Sequence, residues 1–170
     1  MTTCVVLLRG VNVGGHNRVP MAELRAVCEG AGATDVRTYV QSGNAVLTWP
    51  GPAAALERAV ADGLTGRLGL TVPVMVRTAG ELAAVIDGCP WPELDPKLLH
   101  VAFCAGVPDL TGVDPDGFAP ELLAVGDRAL YLFHADGVQR SRLARLRVGT
   151  EMTARNWRTV TALHQLATPG

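Results

Sequence analysis

The sequence predicts an α+β fold, in which short strands and amphipathic helices share one hydrophobic core. Alternating or continuous apolar runs of a few residues mark strands, and apolar residues at helical spacing mark helices between them. The 170-residue chain is 48% hydrophobic and 18% charged, which is typical of a globular protein and excludes a disordered one. A chain of this length buries roughly two-thirds of the surface that its unfolded form exposes, so it needs no disulfide or metal for stability.

The first half begins with a buried strand, a loop and an amphipathic helix. Residues 5–8 are a short, continuous apolar run, which is typical of a buried strand. A glycine-rich loop follows, and Pro20 suits the first turn of a helix. Apolar residues recur at helical spacing across residues 20–31, which predicts an amphipathic helix there.

A hairpin, a second helix and a fourth strand complete this half. Residues 36–41 and 45–49 are predicted strands on either side of a polar turn. The second helix is indicated by apolar residues four apart, namely Leu56, Val60, Leu64 and Leu68. Residues 72–76 form the last strand, which Pro73 places at a sheet edge or makes begin at Pro73 itself. The order strand, helix, strand, strand, helix, strand predicts a ferredoxin-like half over residues 1–77. Such a sheet has helices on one face and leaves the other for a ligand or a second layer.

Residues 78–170 are predicted to form a second, less regular α+β half packed with the first, and the two halves can form one compact domain. The predicted elements are a helix around 82–86, a strand at 98–104, a hairpin of 121–125 and 129–134, a short basic helix at 142–147, and a last helix capped by Thr153.

The sequence predicts a cytoplasmic protein with no cofactor, no metal and no membrane partner. Its apolar start is too short for a signal peptide, and no stretch approaches the roughly 20 apolar residues of a membrane helix. The four cysteines and four histidines show no metal-ligand spacing. The formal net charge of −1 gives no global attraction to nucleic acid.

The glycine-rich loop between the first strand and the first helix is the first candidate binding site. It contains Arg9, Asn12, Gly14, Gly15 and His16. Glycines let backbone N–H groups approach an anion, and a helix N-terminus favours negative charge. In the alternative interpretation, the glycines only supply unusual backbone angles; both interpretations remain open.

The same loop excludes a nucleotide hydrolase of the phosphate-loop type. Gly10 and Gly15 have the spacing of that motif, but His16 and Asn17 stand where it needs lysine and serine or threonine. The lysine that reaches the phosphates and the hydroxyl that holds magnesium are therefore missing.

Two further segments carry candidate ligand-binding residues. Gln41, Ser42 and Asn44 can donate and accept hydrogen bonds in a turn, although such side chains commonly bond their own turn backbone. Arg155 and Asn156 precede the last predicted helix, where they can bind an anion. In the alternative interpretation, Asn156 only caps that helix.

Five segments together resemble the bacterial family catalogued as domain of unknown function 1697. They are residues 8–15, 20–25, 38–44, 99–103 and 153–160. The resemblance spans nearly the whole chain and implies a small cytosolic α+β protein with ferredoxin-like halves. It implies no established reaction, so no catalytic residue is carried over. Family members often have lysine where this chain has His16.

The sequence favours a small cytosolic binding protein for an anionic, phosphate-bearing ligand such as a nucleotide or nucleic acid. The hypothesis depends on the donor-rich candidate residues converging in space. One alternative is an enzyme of unassigned class that uses the same polar cluster, with catalytic residues unknown. Another is a protein–protein interaction module. The oligomeric state is not predicted.

Overall fold

Residues 1–169, which the computed structural model describes, form a mixed α+β structure with two four-stranded antiparallel sheets and four α-helices. The chain divides into two compact units. The first unit comprises Met1–Ala83 and the residues from Leu163 onward, and the second comprises Ala84–Ala162. The predicted boundary lies after residue 77, whereas the first unit extends to Ala83 and also includes the end of the last helix.

The first unit contains a four-stranded sheet and two long helical connections. Its elements are β1 (Thr2–Leu8), α1 (Met21–Gly30), β2 (Thr34–Thr38), β3 (Asn44–Trp49), α2 (Ala53–Leu68) and β4 (Val74–Thr78), with α3 (Ala79–Asp87) following. The strand order is β2-β3-β1-β4, and all neighbouring strands are antiparallel. The predicted strands and helices of this half are present, although β2 ends at Thr38 and not at residue 41, and β4 lies at an edge directly after Pro73.

Apolar side chains on α1 and α2 pack on one face of this sheet. Leu24 and Val27 are buried on α1, while Leu56 and Val60 are buried on α2. They join a core that includes alternate residues of β1, beginning with Cys4. Both helices begin after a proline in extended conformation, where the missing N–H is not needed by the helix.

The second face of this sheet is also inaccessible at its centre. Val5 and Leu7 alternate with the core residues of β1 and are fully buried, as is Val46 on β3. A strand that is buried on both faces appears as a continuous apolar run, which explains the pattern of residues 5–8. The face that the sequence left for a ligand or a second layer is therefore not exposed to solvent along these strands.

The second unit contains the other sheet, connected mainly by short 3₁₀ turns. Its strands are β5 (Leu99–Cys104), β6 (Leu122–Gly126), β7 (Ala129–Phe133) and β8 (Met152–Asn156), and α4 (Trp157–Ala167) follows. The 3₁₀ turns are Pro115–Phe118, Val138–Arg140 and Leu143–Arg145. The strand order is β6-β7-β5-β8, again with antiparallel neighbours.

Two predictions for the second half are wrong in detail. The basic helix predicted at 142–147 is only the 3₁₀ turn Leu143–Arg145, because the Glu121 carboxylate accepts the amides of Arg142 and Leu143 at 3.1 and 3.4 Å. Thr153 does not cap the last helix, because it is paired with Phe103 inside β8.

Candidate functional site

The loop between β1 and α1 folds as a small hairpin. The amide of His16 donates to the carbonyl of Val13 at 3.0 Å, and the amide of Asn12 donates to the carbonyl of Asn17 at 3.2 Å. Gly14 and Gly15 form its tip with φ angles of 58° and 77°. A two-residue hairpin turn with positive φ at both positions favours glycine. These two glycines therefore have a structural role, whether or not the loop also binds a ligand.

The side chain of Asn12 joins this loop to the turn before β3. Its Nδ2 donates to the carbonyl of Gln41 at 2.7 Å and to that of Val19 at 2.9 Å. Its Oδ1 accepts the amide of Val19, also at 2.9 Å. Asn12 and Gln41 are separated by 29 positions along the chain, so this bond shows that the loop and the turn meet in space. Because its bonds are used in this way, Asn12 positions the site instead of facing a ligand.

Gly43 places the turn directly against the base of the loop. The amide of Leu8 donates to the carbonyl of Gly43 at 2.9 Å. A Cβ atom at Gly43 would lie 2.7 Å from Cγ2 of Val11 and 2.8 Å from Cβ of Leu8, and the φ of Gly43 is +80°. Only glycine fits this contact without displacing the loop or straining the backbone.

Asn44 supports the turn from within. It is fully buried, and its Nδ2 donates to the carbonyl of Tyr39 at 3.1 Å and to Oγ of Ser42 at 2.8 Å. Of the polar residues predicted in this turn, Gln41 and Ser42 are exposed. Asn44 therefore fixes the turn's shape, as the structural interpretation of this segment expected, while Gln41 and Ser42 remain accessible.

The exposed polar groups of these two segments form a surface without negative side chains. We call residues 9–18 and 41–44 the loop–turn surface. Its exposed polar side chains are Arg9, His16, Asn17, Arg18, Gln41 and Ser42. Neither segment contains aspartate or glutamate. Guanidinium and amide donors on segments that contain no acid favour an anion.

Two exposed valines were not among the predicted site residues: Val13 lies within the loop–turn surface, and Val40 directly precedes its turn segment. Val13 is 66% exposed and Val40 is 52% exposed. Val40 also has a φ of 50°, which costs a β-branched residue on the order of 1–3 kcal/mol. The alternating pattern placed Val40 inside the predicted strand 36–41, but β2 ends at Thr38. The sequence carried no local signal of this turn conformation.

Arg155 and Asn156 belong to the second unit and serve its structure. Arg155 is buried on β8, where its Nη1 donates to Oγ1 of Thr153 at 2.6 Å and to the carbonyl of Ala154 at 3.0 Å. Burial lowers the pKa of Arg155 to about 10. Oδ1 of Asn156 accepts the amide of Thr159 at 2.9 Å, which is the bond of a helix N-cap. Asn156 therefore caps α4.

The second unit contains a buried polar cluster that local sequence patterns did not reveal. Oγ of Ser141 donates to Oε2 of Glu121, and Nδ1 of His134 lies 2.6 Å from the same Oγ. The rings of His134 and His100 meet edge to face, with centroids 4.9 Å apart. We call Glu121, Ser141 and His134 the buried polar cluster. It joins the start of β6, the end of β7 and the 3₁₀ turn Leu143–Arg145.

The geometry of the buried polar cluster differs from that of a catalytic triad. In a triad the histidine lies between the serine and the acid, whereas here Ser141 lies between His134 and Glu121. Ser141 is also only 5% exposed. Burial lowers the pKa of His134 against the opposing effect of Glu121, and burial together with His134 lowers the pKa of His100. Neutral, hydrogen-bonded histidines of this kind fit a structural role.

The cysteines give no sign of thiol chemistry. All four are free and buried. Burial raises the pKa of Cys28 to about 12 and also raises the pKa of Cys4 and of Cys89, so these thiols stay protonated and unreactive near neutral pH.

Within residues 1–169, no group of three or more histidine, cysteine, aspartate or glutamate side chains is placed to hold a metal ion. None of the helices in this range is long and apolar enough to span a bilayer.

Comparison with known proteins places the chain in a family. The family model described as a protein of unknown function (DUF1697) matches residues 1–131. A solved structure, that of the conserved bacterial protein SP0830 from Streptococcus pneumoniae, is similar with a TM-score of 0.77 and 22% identity, over 98% of this chain and 99% of that chain. At this identity the similarity shows the fold alone. No curated protein matches the chain. Since the family model covers well over half of the residues, the chain belongs to the DUF1697 family of proteins of unknown function.

Proposed function

We propose that this protein binds an anionic, phosphate-bearing ligand, such as a nucleotide or nucleic acid, at the loop–turn surface. One observation carries the proposal. The side chain of Asn12 joins the glycine-rich loop, which carries the exposed Arg9, His16 and Arg18, to the turn at Gln41. Neither segment contains an acid.

The topology of the first unit supports this convergence. We infer a ferredoxin-like arrangement, because α1 connects β1 to β2 and α2 connects β3 to β4, and each connected pair is separated by one strand. In the antiparallel pair of β1 and β3, Leu7 lies opposite Asn44. The loop that leaves β1 and the turn that enters β3 therefore lie at the same end of the sheet.

The chemistry of the exposed groups favours phosphate. Arginine presents a planar array of N–H donors that matches phosphate oxygens, and each charge-assisted hydrogen bond contributes about 1.5–3 kcal/mol. Arg9 and Arg18 are exposed. His16 is exposed on the same loop and offers a ring nitrogen as a further hydrogen-bond partner.

Thermal unfolding in the presence of inorganic tripolyphosphate, ATP and a short single-stranded oligonucleotide tests the proposal. A ligand at about 100 times its dissociation constant stabilises the folded state by about 2.7 kcal/mol, which is a shift of several degrees for a chain of this size. We expect Arg9→Ala and Arg18→Ala to reduce the shift. Arg58→Ala is the matched control, because Arg58 is exposed on α2 of the same unit.

Two outcomes would contradict the proposal. One is the absence of any shift across the three ligands. The other is an equal shift in the parent protein and in both loop variants. The same samples examine the alternatives, since ATP hydrolysis that is lost in His16→Ala would indicate an enzyme, and self-association without ligand binding would indicate an interaction module.

A further inference from the structure

Two exposed apolar side chains flank the hydrogen bond that joins the loop to the turn. Val13 follows Asn12 along the chain, and Val40 precedes Gln41. The Nδ2 of Asn12 and the carbonyl oxygen of Gln41 are 2.7 Å apart. Since each valine is the direct chain neighbour of one partner in this bond, both belong to the same small region. They are 66% and 52% exposed, so neither contributes much to the core.

Val40 combines two features that stability alone disfavours. Its backbone is left-handed, with a φ of 50°, a conformation that asparagine and glycine adopt far more readily than a β-branched residue. Val40 is 52% exposed, so burial compensates for this strain only in part. Backbone strain of this kind concentrates at ligand-binding positions. The presence of valine at position 40 therefore indicates that its side chain contacts a bound molecule.

The surroundings of the two valines define the chemistry of that contact. Arg9, His16 and Arg18 are exposed in the same loop, which suits phosphate, while the two exposed valines offer apolar surface. A ligand that uses both parts carries an anionic group on a compact apolar or planar body. A nucleoside phosphate has this composition, whereas a bare polyphosphate has only the anionic part.

Resting on the proposed function, we infer that Val13 and Val40 contact the nucleoside part of the ligand, so that the loop–turn surface prefers a nucleoside phosphate to an inorganic polyphosphate of equal charge. The phosphates then face the arginines, and the base or ribose lies against the two valines. Val40 is a specificity-determining residue in this assignment, and its strained backbone is retained because it presents the side chain to the ligand.

Titration calorimetry with ATP, inorganic tripolyphosphate and adenosine tests the inference on the whole chain. In the parent protein we expect ATP to bind about tenfold more tightly than tripolyphosphate, since one small apolar contact contributes roughly that factor. Val40→Asn should remove most of this preference, leave tripolyphosphate binding unchanged, and raise the unfolding midpoint by about 2–4 °C through relief of backbone strain. Val107→Asn is the control, because Val107 is 81% exposed in the second unit, and it should change neither property.

The possible failures are distinguishable. Equal affinity of the parent protein for ATP and tripolyphosphate would overturn the inference and leave the proposed function standing. Loss of both affinities in Val40→Asn would also overturn it, because Val40 would then support the loop and not the nucleoside. Binding of neither compound would overturn the inference, and it would overturn the proposed function as well if the oligonucleotide also failed to bind. Val13→Ser provides a second variant at an exposed position, and it too should lower the affinity for ATP alone.

Discussion

The two units arrange their strands in the same order but connect them differently. Both sheets are antiparallel, with orders β2-β3-β1-β4 and β6-β7-β5-β8, so that β1 corresponds to β5 and β3 to β7. In the first unit, α1 and α2 make the two crossovers. In the second, the corresponding connections contain only 3₁₀ turns of three or four residues. The same sheet order therefore forms with and without helical crossovers.

The two kinds of connection are held to their sheets by different interactions, namely apolar packing in the first unit and hydrogen bonds in the second. The helices α1 and α2 bury apolar stripes, such as Leu56, Val60 and Leu64 on α2. A three-residue 3₁₀ turn offers little apolar surface. In its place, the carboxylate of Glu121 accepts the amides of Arg142 and Leu143, and the buried polar cluster holds the turn to the sheet. Hydrogen bonds to backbone amides thus replace part of the hydrophobic packing.

The corresponding loops also differ in charge. The β1–α1 connection, residues 9–20, contains Arg9, His16 and Arg18 and no acid. The β5–β6 connection, residues 105–121, contains acidic residues and no lysine, arginine or histidine; the acids are Asp109, Asp114, Asp116 and Glu121. The loop that follows β1 and the connection that follows β5 therefore have opposite charge, and only the first suits an anion.

The largest expected effect tests the role of the buried polar cluster. Glu121→Ala should lower the free energy of unfolding by about 3–5 kcal/mol, because it leaves buried donors without their acceptor. Urea unfolding measures the loss. Asp116→Ala, at an exposed acid of the same connection, should change stability by no more than about 0.5 kcal/mol. Similar losses in the two variants would refute the structural role of the cluster.

A second substitution tests the contact between loop and turn in the first unit. Gly43→Ala should cost about 2–4 kcal/mol, because the new Cβ meets Val11 and Leu8 and the backbone is left-handed. Gly10→Ala is the matched control, since Gly10 has a φ of +67° but no atom within 4 Å of its ideal Cβ. It should cost only about 1–2 kcal/mol. Equal losses of unfolding free energy in the two variants would show that the close approach at Gly43 contributes nothing to the cost of the substitution.

The histidines of the second unit should make the protein less stable in acid. The pKa values of His100 and His134 are lowered from 6.5 in the folded chain, so the unfolded chain binds more protons as the pH falls below 6.5. Their contribution to stability is complete above pH 6.5 and is lost as the pH falls towards their folded values. Urea unfolding at pH 7.5 and pH 5.5 measures this loss. His100→Asn should reduce the difference, and an unchanged difference would exclude His100 as a source.

The smallest expected effect concerns His16 in the loop–turn surface. His16→Lys supplies a permanent positive charge, which should tighten binding of tripolyphosphate at pH 8 by about two- to fivefold, the range of an exposed charge pair. Calorimetry at pH 8 measures the change. Gln139→Lys, an exposed substitution in the second unit that also adds one positive charge, controls for net charge. Equal tightening in both variants would indicate general attraction in place of a contact at His16.

The spacing of apolar residues predicted the elements of the first unit, because the buried positions there recur with the periods of helices and strands. The stripe of α2 and the apolar run of β1 both report core positions directly. The same reasoning was wrong for residues 142–147, where leucines and arginines have helical spacing. There Glu121, more than twenty residues earlier in the chain, accepts the backbone amides of Arg142 and Leu143. Long-range partners of this kind leave no local signal.

The candidate site was only partly predictable for the same reason. Glycines, arginines and side-chain amides identified the loop and the turn as candidate binding segments. Their convergence depends on the bond between Asn12 and Gln41, which are separated by 29 positions. The strained, exposed backbone of Val40 was hidden because its sequence continues the alternation of β2. Arg155 and Asn156 had the right chemistry for an anion, yet their bonds serve β8 and α4.

The most direct test of the central claim is a titration of the ¹⁵N-labelled protein with tripolyphosphate, followed by NMR. The account predicts progressive amide shifts within residues 9–18 and 41–44 and little change within the acidic connection 105–121. Arg18→Ala should weaken these shifts, whereas Arg58→Ala should not. Saturable shifts confined to the second unit, or no saturable shifts at all, would contradict anion binding at the loop–turn surface.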